Sequence, residues 1–272
     1  MHILIELGAT AGCVGALLLL GAAFLHLLPR ISPPIAAACT KAPGLDCVVT
    51  YFLAAPLIVG PIVAGWAGLF GAIVGQVASI CIWTWLHELA HHDAVRGPRI
   101  DKVLNRLIGR WRNHAALWVT TIVAPLFWTI RIAQILLWPV LRWLTRFPRY
   151  NDAEWVAVSR QKFTGLVGHD LIWCLYCDWM TGVWSLGSEM LRNIESFWCP
   201  IRFLDAKKCA NCSVDFPDLD SQWTASDGSV ADVADLLAKK HGDGFHGWFG
   251  HPVRLTIAGR ELQTPNQPTR SI

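Results

Sequence analysis

The sequence predicts a mainly α-helical membrane protein: polytopic membrane helices followed by a small C-terminal α+β module that binds zinc in the cytoplasm. Three observations carry this reading. Residues 3–29, 48–86 and 115–141 are nearly devoid of charge, and about 20 consecutive apolar residues suffice for a helix to cross hydrocarbon. Only 16% of the 272 residues are charged and the mean hydropathy is +0.38, whereas a soluble domain carries about a quarter charged residues. Two CxxC pairs lie beyond the last apolar stretch. The organisation expected is therefore a membrane-embedded helical region over residues 1–150 and a cytoplasmic or peripheral cysteine-containing module over 151–272.

The first apolar segment, Ile3 to Leu28, has no Lys or Arg ahead of it. A secretory leader wants a positive start, so an uncleaved membrane helix is expected. Residues 30–48, with Pro33, Pro34, Pro43 and Gly44, read as a loop. The stretch Val48 to Leu86 is too long for one ordinary span. Pro56, Gly60 and Pro61 offer a break, giving either two short passes or a re-entrant piece followed by a helix from about Ile62 into His92. For Ala115 to Leu141 a single span would put its two basic flanks, Arg96–Arg112 and Arg142–Lys162, on opposite sides, against the positive-inside tendency. A broken hairpin or interfacial helix that returns to its starting side is preferred. Phe163 to Met190, interrupted by His169, Asp170 and Asp178, reads as a buried or membrane-surface helix. Ser229 to Lys240 reads as a helix capped by Asp227 or Ser229, and His251 to Leu262 as a short strand or hairpin around Ala258-Gly259.

The net charge of +3 and the juxtamembrane placement of the cations argue against nucleic acid, whose footprint is a basic stripe on a soluble domain. The expected partners are the lipid bilayer and a membrane protein or peptide substrate. The expected location is an integral membrane position, of bacterial inner-membrane type, with the C-terminal module cytoplasmic.

The hexapeptide His87-Glu88-Leu89-Ala90-His91-His92 closes the second apolar stretch. Positions four apart share a helical face, so His87 and His91 can ligate one ion while Glu88 polarises a metal-bound water. This is the HExxH arrangement, in which Zn²⁺ acidifies water and the Glu serves as general base. Residues 87–160 resemble the membrane-anchored zinc metallopeptidases of the HtpX and prenyl-protein-protease kind, where such a box is followed by a basic stretch, an apolar hairpin and a ligand helix beginning with Arg and Glu. The resemblance implies Glu88 as catalytic base and Glu154 as third zinc ligand beside His87 and His91. This chain departs from the family pattern after Glu154, where Trp155-Val156-Ala157 stands in place of an Ala-Asp pair. The first box also resembles that of histidine-box membrane desaturases and alkane hydroxylases, which would imply iron; no third box follows it.

Cys174-Leu175-Tyr176-Cys177 and Cys209-Ala210-Asn211-Cys212 form a CxxC…CxxC pattern with 31 residues between the pairs. Two such pairs complete a tetrahedral Zn(Cys)₄ site, so a structural Zn²⁺ on Cys174, Cys177, Cys209 and Cys212 is expected, ahead of iron or thiol–disulfide chemistry. Three functions follow from these readings. One is a zinc-dependent metallopeptidase-like hydrolase. Another is a non-enzymatic membrane subunit or adaptor organised by the cysteine module. The third is a degenerate relative of the histidine-box desaturases and hydroxylases that uses iron.

Overall fold

The structure, a computed structural model, describes residues 2–147, 149–208, 219, 223–241, 256–257 and 260–261. Among them the chain is overwhelmingly helical. Three segments are long and apolar enough to cross a membrane: His2–Ile31, Gly44–Ala90 and Arg110–Thr145. Their large side chains point outward, as at Leu20, Ile62, Trp66 and Val63, which is what helices surrounded by hydrocarbon do. The chain divides into two compact units, Met1–Arg131 with Asp152–Val183, and Ile132–Asn151 with Trp184–Ile272.

In the first unit, α1 is His2–Ile31, followed by the short helices α2 (Pro33–Cys39) and α3 (Gly44–Val49). A π-helical turn over Thr50–Ala54 leads into α4, Ala55–Ala90. Helix α4 is not one rod. Ala64 leaves helical geometry and Gly65 takes a φ of +54° with a ψ of −137°, a region open to glycine and costly for any other residue. There the chain reverses: Gly60 lies against the backbone of Gly68, and Gln76 Nε2 donates to the carbonyls of Phe52 and Leu53 at 2.8 and 2.9 Å. The long apolar stretch therefore forms two antiparallel arms, the first of the two alternatives above. The break falls at Ala64-Gly65 rather than at Pro56–Pro61. Pro56 stands in the first turn of α4, where a missing N–H is tolerated, and Pro61 lies within the first arm.

Helix α1 runs beside the second arm and in the same direction. A Cβ on Gly71 would stand 2.7 Å from the Leu7 carbonyl, and one on Gly75 would stand 2.7 Å from that of Ala11. Further along, the His26 and His87 rings approach to 6.4 Å. This is a Gly-xxx-Gly contact, which lets two backbones approach closely where hydrophobic burial supplies no driving force.

The basic stretch folds into α5 (His92–Arg96), α6 (Ile100–Ile108) and α7 (Arg110–Thr120), and α7 runs through a 3₁₀ turn at Thr121–Val123 into α8, Ala124–Thr145. Helix α9 is Asp152–Trp155 and α10 is Gly168–Trp198, a 31-residue helix that starts five residues after the expected Phe163 and runs on past Met190. Arg131, buried in α8, donates to both carboxylate oxygens of Asp46 at 2.8 Å and to Asp152 Oδ2 at 2.8 Å. Residues 40–42 and 156–158 pair through Ala42 N–H to Val156 O and Val158 N–H to Thr40 O.

In the second unit, Tyr150 packs on Trp138, and Phe147 meets Trp138, Phe197 and Trp198. Asn193 Nδ2 donates to the Tyr150 hydroxyl. Burial, and then the neighbouring Glu189 carboxylate, push the Tyr150 phenol well above its ordinary range, so it stays protonated. Helix α11, Val230–His241, is closed at its start by a reciprocal cap: Ser229 Oγ accepts from Asp232 N–H, and Asp232 Oδ2 accepts from Ser229 N–H. Thr256–Ile257 (β1) pairs antiparallel with Arg260–Glu261 (β2). Cys209 and Cys212, two of the four expected zinc ligands, lie outside the described residues.

Candidate functional site: the box at the end of α4

The HELAH box ends the second arm of α4, where His91 leaves helical geometry. As the spacing requires, His87 and His91 share a face, and their rings stack with centroids 4.3 Å apart. One nitrogen of each ring, Nδ1, has a hydrogen-bond partner. Gly168 N–H donates to His87 Nδ1 at 3.1 Å, and His169 N–H donates to Glu88 Oε1 at 3.1 Å. These are two of the N–H groups that the start of α10 leaves without helical partners, so the box acts as an external cap for α10.

The imidazole states follow from what each nitrogen faces. A neutral ring carries one N–H. An amide donor at His87 Nδ1 puts that proton on Nε2, which removes the lone pair a metal would need there. His91 Nδ1 lies 2.9 Å from the His87 carbonyl, an acceptor, so His91 carries its proton on Nδ1. With its proton there His91 keeps the lone pair on Nε2, so it is the amide on His87 Nδ1 that stands against a shared zinc ion.

Glu88 is likewise engaged. Arg99 Nη2 donates to Glu88 Oε1 at 2.8 Å, and Arg99 Nε donates to Asp170 Oδ2 at 2.7 Å. The Asp170 carboxylate also accepts the Ile100 and Asp101 amides at 3.2 and 3.1 Å. Arg99 and Asp170 are 3% and 4% exposed in their side chains, so this is a buried charge pair held by several hydrogen bonds. Burial alone would raise the Asp170 carboxyl. His169, Arg99 and the Asp101 amide outweigh it and hold the group at about 2. His169 Nδ1 stands 3.9 Å from Asp170 Oδ1, beyond hydrogen-bond length, so Arg99 and the amides are the direct partners.

Glu154 is not brought to the box. Its neighbour Trp155 lies with its carbonyl against Gly182 on α10, while the box holds residues 168 and 169. Thirteen residues of helix separate those points, about 20 Å at 1.5 Å per residue. A second ruler agrees: Asp152 is bonded to Arg131, whereas His114, ring to ring with His169 at 5.0 Å, lies seventeen residues earlier on α7–α8, about 25 Å away. Among the described residues no three His, Cys, Asp or Glu side chains gather closely enough to hold a metal ion. The residues of the box do not fit a bound zinc in this arrangement.

Cys174 and Cys177 sit one turn apart on α10 as free thiols. Burial, above all, pushes the Cys174 thiol up, the adjacent Cys177 adding to it and Arg160 opposing. That is the opposite of the lowered value a reactive thiolate shows. Their expected partners Cys209 and Cys212 lie outside the described residues. Arg99 and Asp170 are the site residues that the sequence reading missed. Arg99 was one cation in a basic run and Asp170 one polar interruption of an aromatic helix. The available signal was Gly168-His169-Asp170, an acid in the first turn of a long helix, where negative charge is favoured. Comparison with protein-family models, with curated proteins and with solved structures finds no match.

Proposed function

We propose that the chain is a non-enzymatic membrane subunit or adaptor, in which the HELAH box is a structural lock that fastens α10 to the end of α4. The observation that carries this reading is the state of Glu88. A general base must reach a water or substrate proton with its carboxylate, and here one oxygen of that carboxylate, Oε1, is held by both Arg99 and the His169 amide. The distance to Glu154 points the same way. In this reading the His87–Arg112 end of the helices faces the cytoplasm of a bacterial inner membrane, in keeping with its cations, and any structural zinc belongs to the CxxC pairs.

Metal analysis of the purified full chain tests it, with wild type beside His91→Ala and Cys209→Ser. The expected result is that His91→Ala leaves the metal content unchanged, while Cys209→Ser removes one zinc if the cysteines hold it. One equivalent of zinc lost on His91→Ala, together with peptide cleavage abolished by Glu88→Gln, would overturn the adaptor reading in favour of a hydrolase.

A further inference from the structure

Helix α6 has one apolar side and one basic side, and it shows the apolar side outward. At 100° per residue, Ile100, Val103, Leu104, Leu107 and Ile108 fall within about 140° of arc, while Lys102 and Arg106 lie opposite. Ile100, Val103, Leu107 and Ile108 are exposed, Leu107 at 71%, and Trp111 at the start of α7 is 80% exposed. Only Leu104 turns partly inward. Arg99, tied to Glu88 and Asp170, fixes the start of α6 beside the last turn of α4. There Trp85, Leu86 and Leu89 also face outward, so the apolar surface of α6 continues the lipid-facing surface of the span.

Charge identifies the lipid. Between Ala90 and Asn113 the exposed cations are Arg96, Lys102, Arg106, Arg110 and Arg112, against Asp93 and Asp101; Arg99 is buried and already paired. Beside them Arg110, Trp111, His114, Ala115 and Trp118 line an open groove of about 470 Å³ with a cation at one end and apolar walls. We infer that α6 and the first two turns of α7 form an in-plane surface that binds anionic phospholipid, with Ile100, Val103, Leu107 and Trp111 at the acyl boundary and Lys102, Arg106, Arg110 and Arg112 on the phosphates. Amphipathic helices of this composition lie in the interface in that way. The inference rests on the membrane reading of α1 and α4 and not on any metal.

Native mass spectrometry of the full chain, released from detergent with phosphatidylglycerol and phosphatidylcholine in competition, reads the ratio of bound lipids. Each juxtamembrane cation is worth about fivefold, so Arg106→Gln with Arg110→Gln lowers the anionic preference roughly twentyfold, while Arg106→Lys with Arg110→Lys retains it. Leu107→Gln weakens both lipids together. Equal binding of the two lipids by wild type, an unchanged ratio in the Gln pair, or a lost preference in the Lys pair would each overturn the inference. So would displacement of the bound lipid by inorganic phosphate alone, which would assign the cations to a free anion. Wild type that binds both lipids equally would still be a membrane protein, and the zinc measurement above is independent of this ratio.

Discussion

Arg99 shows how one residue converts a chemistry motif into a joint. Its guanidinium spans two carboxylates that arrive from different helices, Glu88 from α4 and Asp170 from α10. Removing one partner from a buried ion network leaves the others desolvated and unpaired, which costs about 3–5 kcal/mol. Glu88 is partly open to solvent, so Arg99→Met is expected to cost about 3 kcal/mol, measured by denaturant unfolding of the purified chain in detergent. Arg99→Lys, with one compact donor group in place of a planar fork, should fall between the two. The acid limb of stability gives a second check. Asp170 titrates at about 2 in the fold against an ordinary 3.8. Its ionised form stabilises the fold above the ordinary value, and that contribution fades as pH falls toward 2, about 2 kcal/mol in all. Arg99, Glu88, Asp101 and His169 are the charged or titratable groups around it. Asp170→Asn should therefore flatten the loss of stability between pH 4 and pH 2 relative to wild type; an unaltered slope would place the acid sensitivity elsewhere. The shared helical face of His87 and His91 was legible in the sequence because it depends on spacing alone. The Gly168 amide that occupies His87 was not, because it comes from some eighty positions later in the chain.

At the scale of elements, apolar composition gave the membrane-length segments directly, and length alone required Val48–Leu86 to fold as more than one pass. The position of its reversal was harder to read. Proline marks a place where a helix loses a hydrogen bond, but the turn here needs a positive φ, and Gly65 is the residue that adopts it. A glycine among many in an apolar run carries no mark of that role. The contact of α1 with the second arm is written in the sequence as Gly71-Ala72-Ile73-Val74-Gly75, one Gly-xxx-Gly among several small-residue spacings. Adding a side chain at Gly75 must move a backbone carbonyl 2.7 Å away or the Val14 side chain at 3.0 Å. Gly75→Val is therefore expected to destabilise by about 1–3 kcal/mol, the usual cost of overpacking. Gly8→Val on α1, where no atom lies within 4 Å, should be nearly neutral. Thermal unfolding of the two variants side by side reads the difference, and equal melting points would mean that α1 does not pack on that arm.

For the first compact unit as a whole, the question is what residues 110–131 do, since they open a segment long and apolar enough to cross a membrane. Its two anchors answer by geometry. Near its start, His114 meets His169, whose amide is held by Glu88. Seventeen residues later, Arg131 is bonded to Asp46. Glu88 and Asp46 lie at the open end of the α4 hairpin, about 35 and about 27 Å of helix from the turn at Ala64-Gly65. The two anchors thus differ in depth by less than about 10 Å, whereas the helix between them is about 25 Å long. Between its anchors this helix runs more across the open end of the hairpin than along its axis, and we propose that it has the returning geometry that the basic flanks favour. This predicts sidedness. Short protease sites inserted in the full chain after Gly97 and after Gly165 should be cut from one face of sealed vesicles, and a site after Gly65 from the other. If the Gly165 site were cut from the Gly65 face, Arg110–Thr145 would cross the bilayer. The amides of Gly168 and His169 would then lie a membrane thickness, roughly 30 Å, from the box that holds them here, and the lock would not exist.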